Sequence, residues 1–367
     1  MSGPIRIGID ARELLGEVTG VGRYLGELLT RWVRRSDSRF RRFTLYAPRP
    51  LDISLAKDAV ETRVVPGGTG TWWEQTSLRR AVRADKPDVF FAPAYTAPLG
   101  LGMPFAVTMH DVSFLAHPEW FRPRERLRRR FLAHRLAKSA SVIFTDSEFS
   151  RAEIAAHLRV DEGRVQVIRP GINGAGTESD QPGRSAARDP LVLYVGTVLN
   201  RRNLPELIAA FAKATVDMPD ARLVIVGANR TWPPQDLKRT AAAFDVSSRV
   251  EIRSYLPHEQ LHQHYSRAAV FVFLSEYEGF GLTPLEALSA GVPIVVLDTP
   301  VAREVYGPAA EYVGVGNIDG ASAAIRRFLQ SRDAANEQLS RAPDVLAAYS
   351  WDRAADETLR QLERMCR

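Results

Sequence analysis

Short apolar runs alternate with amphipathic stretches along almost the whole chain, and this alternation constrains the fold more than any other feature. In the first half such runs lie at residues 5–9, 43–46, 62–65, 89–91, 105–108 and 142–145, with a helical stretch at 24–34. The pattern starts again with runs at 191–195, 222–226, 250–253, 270–274 and 294–297, and with helical stretches at 204–213 and 284–289. Alternation of this kind predicts parallel sheets covered by helices on both faces, and 367 residues suffice for two such α/β domains.

A segment without periodicity separates the two halves. Residues 169–190 are rich in glycine and proline, which interrupt helices and strands. We therefore predict an N-terminal domain over residues 1–168, a linker over 169–190 and a C-terminal domain over 191–350. A last helix is predicted at 352–364, with Ser350 as its N-cap.

The composition is that of a globular protein. Hydrophobic residues make up 45% of the chain and charged residues 25%. No run reaches the roughly 18–20 apolar residues of a membrane-spanning helix, and residues 1–4 lead into a strand instead of a signal peptide. The single cysteine, Cys366, has no partner for an internal disulfide, which agrees with a reducing compartment. We expect a cytoplasmic protein.

The formal charge of +6 does not by itself predict a nucleic-acid partner. No helix-turn-helix, zinc or aromatic-sheet signature accompanies it, so no nucleic acid is expected. The densest basic cluster, at residues 122–130, shares a predicted helix with Leu127, Phe131 and Leu136. Basic amphipathic helices can lie on membranes, but interruption by Glu119 and Glu125 favours a solvated helix whose apolar stripe packs on the core. Peripheral membrane contact is therefore not favoured.

Two glutamates flank a glycine-bearing turn after the apolar run at 270–274. Glu278 lies in the turn, and Glu286 follows eight positions later in a helix that Pro284 can open. Gly279 and Gly281 allow a ligand close to the backbone, and the N–H groups at a helix start attract phosphate or sugar oxygens. Two glutamates at a helix start can also serve only the helix dipole and solubility. That alternative leaves the Gly-Phe-Gly sequence unexplained.

This segment resembles the Glu-x7-Glu motif of retaining glycosyltransferases of family 4. These enzymes have the GT-B architecture, in which two doubly wound, Rossmann-like domains face a cleft. Further segments resemble the family in the same order along the chain: a first strand and glycine loop at 7–12 and 19–24, a histidine segment at 107–111, a phosphate-binding strand and loop at 194–204, and the start of a closing helix at 349–352. In this family the closing helix crosses back onto the N-terminal domain, so the resemblance assigns residues 351–367 to that domain.

The resemblance assigns most of the donor contacts to the C-terminal domain. Glu286 would accept hydrogen bonds from the ribose hydroxyls, since a carboxylate suits a vicinal diol, and Glu278 would approach the donor sugar. The nucleobase would lie near Tyr255 and Leu256. Backbone amides would contact the sugar and the distal phosphate from Gly279, Phe280, Gly281, Leu282 and Thr283.

The leaving diphosphate requires positive charge. No Asp-x-Asp tripeptide, which commonly grips a divalent ion in metal-dependent sugar transferases, occurs in the sequence. Arg201 and Arg202 follow the run at 191–195 and are placed to supply the charge instead, with Gly196 and Thr197 in the same loop. The family commonly has lysine where Arg202 stands, and an arginine has a different contact geometry. We predict no metal and no cofactor, the nucleotide-sugar being a co-substrate.

The N-terminal domain contributes His110 to the predicted site. It follows a predicted strand, and its counterparts in the family lie beside the donor sugar, although a lone histidine is more often structural. Gly20, Val21 and Gly22 are expected in a loop between the first strand and the first helix, where their amides would approach the distal phosphate and the acceptor.

Four further N-terminal residues are candidates for an acceptor pocket, because aromatic faces stack well on sugars. They would serve equally well in packing between domains. These residues are Trp72, Trp73, Glu74 and Tyr95.

The sequence therefore predicts a retaining, metal-independent glycosyltransferase that moves a hexosyl unit from a nucleotide-diphospho-sugar to a hydroxyl acceptor, either a glycan or a small natural product. Mannosyl and glucosyl donors are both open. A nucleotide-sugar epimerase of the same architecture is the nearest alternative. A nicotinamide-dependent oxidoreductase is disfavoured, because Leu25 stands where the third glycine of the dinucleotide motif should follow Gly20 and Gly22.

Overall fold

The structure is a computed structural model that describes residues 4–16, 20–35, 40–52, 59–173 and 188–366. It divides into two compact units. Unit 1 comprises Met1–Ala116, Pro123–Gly171 and Ser350–Arg367, and unit 2 comprises His117–Arg122 and Ile172–Tyr349. Most of the predicted linker, residues 174–187, lies outside the described residues. Each unit contains one parallel sheet with helices, which confirms the predicted fold class.

Unit 1 has a seven-stranded sheet in the order β3-β2-β1-β4-β5-β6-β7. Its strands are β1 Ile5–Asp10, β2 Arg41–Ala47, β3 Val60–Val64, β4 Val89–Ala92, β5 Phe105–Thr108, β6 Val142–Thr145 and β7 Val165–Val167. Every residue of β4 and β5 is buried, as expected for inner strands of a sheet covered on both faces. The short edge strand β7 has no strong apolar run and was not predicted from the sequence.

Helices α1 to α6 and the last helix of the chain belong to unit 1. They are α1 Gly20–Arg34, α2 Thr71–Trp73, α3 Arg79–Asp85, α4 Ser113–Ala116, α5 Pro123–Ser139, α6 Glu148–Leu158 and the C-terminal helix Trp351–Arg364. A π-helical turn at Glu74–Leu78 joins α2 to α3.

The C-terminal helix packs against α1 in the core of unit 1. The indole Nε1 of Trp32 donates a hydrogen bond to the carbonyl of Ala355 at 2.8 Å. Trp351, Leu359 and Leu362 are buried in the same apolar cluster as Trp32. Ser350 caps this helix, because its side chain accepts from the N–H of Arg353, as the sequence predicts.

Unit 2 repeats the arrangement with a six-stranded parallel sheet in the order β10-β9-β8-β11-β12-β13. Its strands are β8 Asp189–Val195, β9 Arg222–Val226, β10 Val250–Arg253, β11 Ala268–Phe273, β12 Ile294–Leu297 and β13 Glu311–Val313. Its helices are α7 Leu204–Ala214, α8 Leu237–Ala243, α9 His258–Arg267, α10 Leu282–Ser289, α11 Pro300–Tyr306, α12 Ile318–Gln330, α13 Arg332–Leu339 and α14 Ala342–Leu346. The C-terminal helix of unit 1 is accordingly α15.

Two expectations from the sequence are wrong. Gly20, Val21 and Gly22 do not lie in a loop, because they form the first turn of α1, where Gly22 is buried. The apolar stripe of α5 does not pack wholly on the core either: Leu127 is 70% exposed and Phe131 is 54% exposed. The core contacts of α5 come instead from its second half, which buries Leu132, Ala133, Leu136 and Ala137.

Helix α5 is one of the longest helices of the described chain. No helix among the described residues is both long and apolar enough to cross a membrane.

Candidate functional site

The candidate donor site lies at the point in unit 2 where the strand order reverses. The chain winds outward from β8 in one direction through β9 and in the other through β11. Open α/β sheets bind ligands in the crevice at the carboxyl ends of the strands beside such a reversal. The loops after β8 and β11 carry Gly196, Thr197, Arg201, Arg202 and Glu278, so the fold brings the predicted donor residues together.

Two glycines bring the loop after β8 close to its neighbours. Gly196 has a φ of +147°, and a Cβ there would lie 2.5 Å from Nη1 of Arg202. Gly227, at the end of β9, has a φ of +155°, and a Cβ there would collide with the carbonyl oxygen of Gly196. Both positions therefore require glycine. The loop is held further by a parallel bridge between Val198 and Asn229.

Arg202 and Glu278 form a partly buried ion pair, in which 13% of each side chain is exposed. Nε of Arg202 donates to Oε1 of Glu278 at 2.8 Å, and Nη2 donates to Oε2 at 3.3 Å. Ser275 also donates from Oγ to Oε1 of Glu278 at 2.7 Å. The Nε of Arg201 lies 3.9 Å from the same oxygen. Two guanidinium groups thus surround one carboxylate, and the cluster keeps a surplus of positive charge.

The remaining contacts of Arg202 fix its guanidinium plane. Nη1 donates to the carbonyl of Thr197 at 2.8 Å and to the hydroxyl of Tyr194 at 3.3 Å. The guanidinium carbon lies 5.1 Å from the ring centroid of Phe273. Four of its five N–H groups are therefore engaged inside unit 2. Arg201 stands directly before Arg202 and places a second guanidinium beside Glu278, so it is a further candidate for contact with a phosphate.

Burial and charge act in opposite directions on this pair. Burial would raise the pKa of Glu278, but Arg202 and Arg201 outweigh it and hold the pKa below its ordinary value. For Arg202, burial alone would lower the pKa, but the attraction of Glu278 outweighs burial and raises the pKa above its ordinary value. Both groups are therefore ionised at neutral pH.

Glu286 lies in the second turn of α10, as the sequence predicts. Its Oε2 accepts a hydrogen bond from the hydroxyl of Tyr265 at 3.3 Å, and the side chain is half-buried. Helix α10 begins at Leu282, and Gly281 at its N-cap provides no side-chain acceptor for the first N–H groups. The N–H groups of the first turn, including those of Leu282 and Thr283, have no acceptor within the helix.

The backbone conformation and the surroundings of Gly281 both require glycine at this position. Its φ is +94°, and a Cβ there would collide with the hydroxyl of Tyr306. That hydroxyl donates to the carbonyl of Gly281 at 2.9 Å. Phe280 is buried with its ring 5.2 Å from the ring of Tyr349. The second glycine and the phenylalanine of the motif thus shape the turn between Glu278 and α10.

The predicted nucleobase residues lie farther along the sheet. Tyr255 and Leu256 follow β10, which is the edge strand and is separated from β8 by β9. Tyr255 is 51% exposed and Leu256 is half-buried. The structure therefore does not join them to the Arg202–Glu278 pair by direct contact.

In unit 1, His110 follows β5 and its ring is held on both nitrogens. Its Nδ1 lies 2.6 Å from Oδ2 of Asp146, and its Nε2 lies 3.1 Å from the carbonyl oxygen of Pro93. The rings of Tyr24 and Tyr95 contact it edge-on, with centroids 5.4 and 5.5 Å away. Burial would lower the pKa of His110, but Asp146 outweighs burial and raises it.

Asp146 was missed by the sequence analysis, although a signal for it exists. In the register of β5 with β6, Thr108 pairs with Phe144. Two residues after this pair, just beyond the ends of the two strands, His110 and Asp146 therefore come side by side. Asp146 directly follows the predicted strand at 142–145, and polar residues at adjacent parallel strand ends converge.

Two of the acceptor-pocket candidates are structural instead. Trp73 is buried and donates from Nε1 to the carbonyl of Val65 at 2.8 Å. Glu74 is buried and accepts from Arg12 and from Oγ1 of Thr96. Of the two roles that the sequence left open for these residues, their burial agrees with packing and not with an open pocket.

The other two acceptor candidates differ from each other. Trp72 is 82% exposed, so its ring is available to a ligand. Tyr95 has a φ of +37° and donates from its hydroxyl to Oδ2 of Asp111 at 3.1 Å. The ring of Tyr95 packs against His110. Of these two residues, Trp72 is therefore the one that presents an exposed aromatic face to a ligand.

Asp10 extends the buried cluster around Glu74 to the end of β1. Nε and Nη2 of Arg12 lie 3.0 and 2.6 Å from Oδ2 of Asp10. Burial raises the pKa of Asp10 from 3.8 to about 6, and the nearby Glu74 carboxylate acts in the same direction against the attraction of Arg12. Among the described residues, no group of three or more histidine, cysteine, aspartate or glutamate side chains is placed to hold a metal ion.

Two family models match the chain and together span most of it. Residues 18–174 match the model described as Glycosyltransferase Family 4, and residues 177–344 match the model described as Glycosyl transferases group 1. The chain is 28% identical over 292 residues to O-antigen chain mannosyltransferase B of Escherichia coli, which covers 76% of this chain and 75% of that protein. It is 27% identical over 246 residues to O-antigen chain mannosyltransferase RfbU of Salmonella typhimurium. That match covers 67% of this chain and 65% of the other protein, slightly under two thirds of its length.

Solved structures share the fold at low sequence identity. Sucrose-phosphate synthase from Thermosynechococcus elongatus superposes with a TM-score of 0.78 at 18% identity, covering 99% of each chain. Anabaena Alr3699/HepE, in a complex with UDP and glucose, superposes with a TM-score of 0.73 at 17% identity, covering 98% of this chain and 99% of that one.

Proposed function

This chain belongs to glycosyltransferase family 4 and has the GT-B fold, and from this premise we propose that it transfers a hexosyl unit from a nucleotide-diphospho-sugar to a hydroxyl acceptor. The transfer retains the anomeric configuration and uses no metal ion. The observation that carries the proposal is the cluster of Arg201, Arg202 and Glu278 at the strand reversal of unit 2, beside the start of α10. It combines surplus positive charge with uncapped N–H groups, which suits a diphosphate.

Each part of the cluster has a role in the proposed reaction. Arg201 and the first turn of α10 stabilise the negative charge that develops on the leaving diphosphate. Arg202 holds Glu278 in place, and Glu278 offers the donor sugar a carboxylate that is ionised at neutral pH. Glu286 accepts hydrogen bonds from the ribose hydroxyls.

The proposed chemistry needs no dedicated base with a tuned pKa. A nucleoside diphosphate is already a good leaving group, so the protein contributes chiefly positioning and charge stabilisation. In the proposed front-face reaction, the departing phosphate oxygen accepts the proton of the acceptor hydroxyl on the same face of the sugar. The new bond from the sugar to the acceptor oxygen forms on the face that the phosphate leaves, so the anomeric configuration is retained.

A mannosyl unit is the first donor sugar to test, because the similar proteins from Escherichia coli and Salmonella typhimurium are described as mannosyltransferases. The structural neighbour that holds UDP and glucose makes a uridine donor the second choice. We further propose that the protein acts in the cytoplasm, where nucleotide-sugars are available as co-substrates.

A thermal-shift panel followed by a transfer assay tests the proposal. GDP, UDP, ADP and their hexose conjugates are added separately, since a ligand that binds only the folded state raises its melting temperature. We expect one nucleoside diphosphate to stabilise the protein in EDTA, and transfer with the matching donor to survive EDTA. Loss of transfer in EDTA with recovery in Mg²⁺ or Mn²⁺ would contradict the metal-independent mechanism. Release of the nucleotide without transfer to any acceptor would favour an epimerase.

A further inference from the structure

The proposed function does not assign a role to the contact between His110 and Asp146. We propose that Asp146 is a positioning residue that holds the His110 imidazole as a doubly protonated, fixed positive charge, so that this ring does not act as a base. The statement about the protons of His110 concerns unit 1 alone. The part that concerns turnover rests on the proposed function and on the sequence prediction that His110 is a site residue.

The two ring contacts define where the protons lie. A backbone carbonyl only accepts hydrogen bonds, so Nε2 of His110 carries the proton in its contact with Pro93. If Nδ1 carried no proton, its lone pair would face a carboxylate oxygen of Asp146 at 2.6 Å. That arrangement is repulsive, whereas a protonated Nδ1 makes a short, charge-assisted hydrogen bond. Neither nitrogen is then available to accept a proton from a substrate.

Sheet register and helix α6 fix the position of Asp146. The pairing of Thr108 with Phe144 brings His110 and Asp146 side by side. Directly after Asp146, the side chain of Ser147 caps α6 by accepting from the N–H of Ser150 at 3.0 Å. Ser150 in turn donates from Oγ to the carbonyl of His110 at 3.1 Å. The segment from Asp146 to Ser150 thus holds both the ring and the backbone of His110.

The other titratable groups around His110 do not replace Asp146. Asp111 lies nearby, but it accepts from the N–H and Oγ of Ser113 at 2.8 and 2.6 Å and from the hydroxyl of Tyr95 at 3.1 Å. Tyr24 and Tyr95 approach the ring edge-on instead of through their hydroxyls. Burial also raises the pKa of Tyr24, so it stays neutral. Among the described residues, Asp146 is the carboxylate that bonds the ring.

Nitrogen-15 NMR of histidine-labelled protein without any donor tests the proton positions. The His110 signals are assigned with a His110→Gln variant. We expect both ring nitrogens of His110 to be protonated at pH 7 in the unmodified protein, with a pKa above the ordinary histidine value. A spectrum showing one unprotonated ring nitrogen at pH 7 would overturn the proposal, and this measurement needs no folded variant at Asp146.

The Asp146→Asn variant, with Asp111→Asn as its matched control, isolates the carboxylate. We expect the His110 pKa to fall in Asp146→Asn, because burial is then opposed only by the Pro93 hydrogen bond and by the charge of Asp111, which does not bond the ring. A smaller fall is expected in Asp111→Asn, which removes a nearby charge but no bond to the ring. Equal shifts in the two variants would show a general charge effect and contradict the assignment to Asp146.

Kinetics separate this inference from the proposed function. With the donor found in the thermal-shift panel, we expect Asp146→Asn to lower kcat by roughly 10- to 100-fold, the range typical of residues that orient a histidine at a metal site, with little change in KM for the donor. Activity should fall as pH rises through the His110 pKa, and this limb should move to lower pH in the variant. An unmoved pH profile would contradict the role in turnover. If no donor is used at all while the NMR shifts occur, the proposed function fails but the assignment of the His110 protons holds.

Discussion

The ion pair of Arg202 and Glu278 is largely withdrawn from solvent. Removing one partner of a buried ion pair is costly because it leaves the other charge without compensation, although such a pair is weak evidence for stability by itself. Arg202 and Glu278 make a bidentate contact at the strand reversal of unit 2. At the crevice proposed to bind the donor, we attribute such a pair to preorganised charge and not to stability.

The two glutamates of the motif are expected to have different roles. Glu286→Ala should weaken the affinity for the free nucleoside diphosphate, because the ribose is present in both donor and product. Glu278→Gln should largely spare that affinity but reduce turnover, and should lower the free energy of unfolding by about 3 kcal/mol because Arg202 loses its charged partner. Glu251→Gln, which changes an exposed glutamate of unit 2, serves as the control. Calorimetry that finds equal losses of affinity in both motif variants would contradict this division.

Asp10 should make the stability of unit 1 depend on pH. Its pKa in the folded protein, about 6, is above the ordinary value of 3.8. A raised pKa means that the folded state favours the protonated form, so the contribution is full below pH 3.8 and is lost as pH rises through 6. We expect the stability of the unmodified protein relative to Asp10→Asn to decrease by about 2 kcal/mol between pH 4 and pH 7 in urea unfolding. A difference that is constant with pH would contradict the raised pKa.

At the scale of elements, the carboxyl ends of the strands carry the candidate residues in both units. The loops after β8 and β11 hold the ion pair, and the ends of β5 and β6 hold His110 and Asp146. The turn that leads from Glu278 into α10 depends on a left-handed glycine, Gly281, beside the hydroxyl of Tyr306. The geometry of this turn therefore depends on a residue of a different helix, α11.

Substitution of Gly281 tests that dependence. Gly281→Ala places a Cβ against the Tyr306 hydroxyl and forces alanine into a left-handed conformation, which alone costs about 1–2 kcal/mol. We expect a lower melting temperature and lower turnover. Adding Tyr306→Phe removes the colliding hydroxyl and should recover part of both losses. A double variant that is no better than the single one would show that the collision is not the cause.

At the scale of the whole molecule, the chain repeats one winding scheme twice. Both sheets are parallel and reverse their strand order beside the first strand of the unit. The C-terminal helix α15 completes the core of unit 1, although it follows unit 2 in the sequence. The stability of unit 1 therefore depends on the last residues of the chain.

A core substitution in α15 measures that dependence. Leu359 is buried in the apolar cluster of unit 1, whereas Arg360 on the same helix is exposed. We expect Leu359→Ala to lower the free energy of unfolding by about 2–5 kcal/mol, because it leaves a cavity. Arg360→Ala should change it by no more than about 0.5 kcal/mol. Equal effects of the two substitutions would show that α15 does not pack as described.

The sequence by itself determined the alternation of strands and helices, the two parallel sheets and the resemblance that points to Arg202, Glu278 and Glu286. Side-chain periodicity is local, so it can be read without knowledge of neighbouring strands. Only the tertiary structure decided which side chains meet: that Asp146 bonds His110 and that Arg202 bonds Glu278. These contacts depend on register and packing between segments far apart in the chain, which side-chain periodicity alone does not specify.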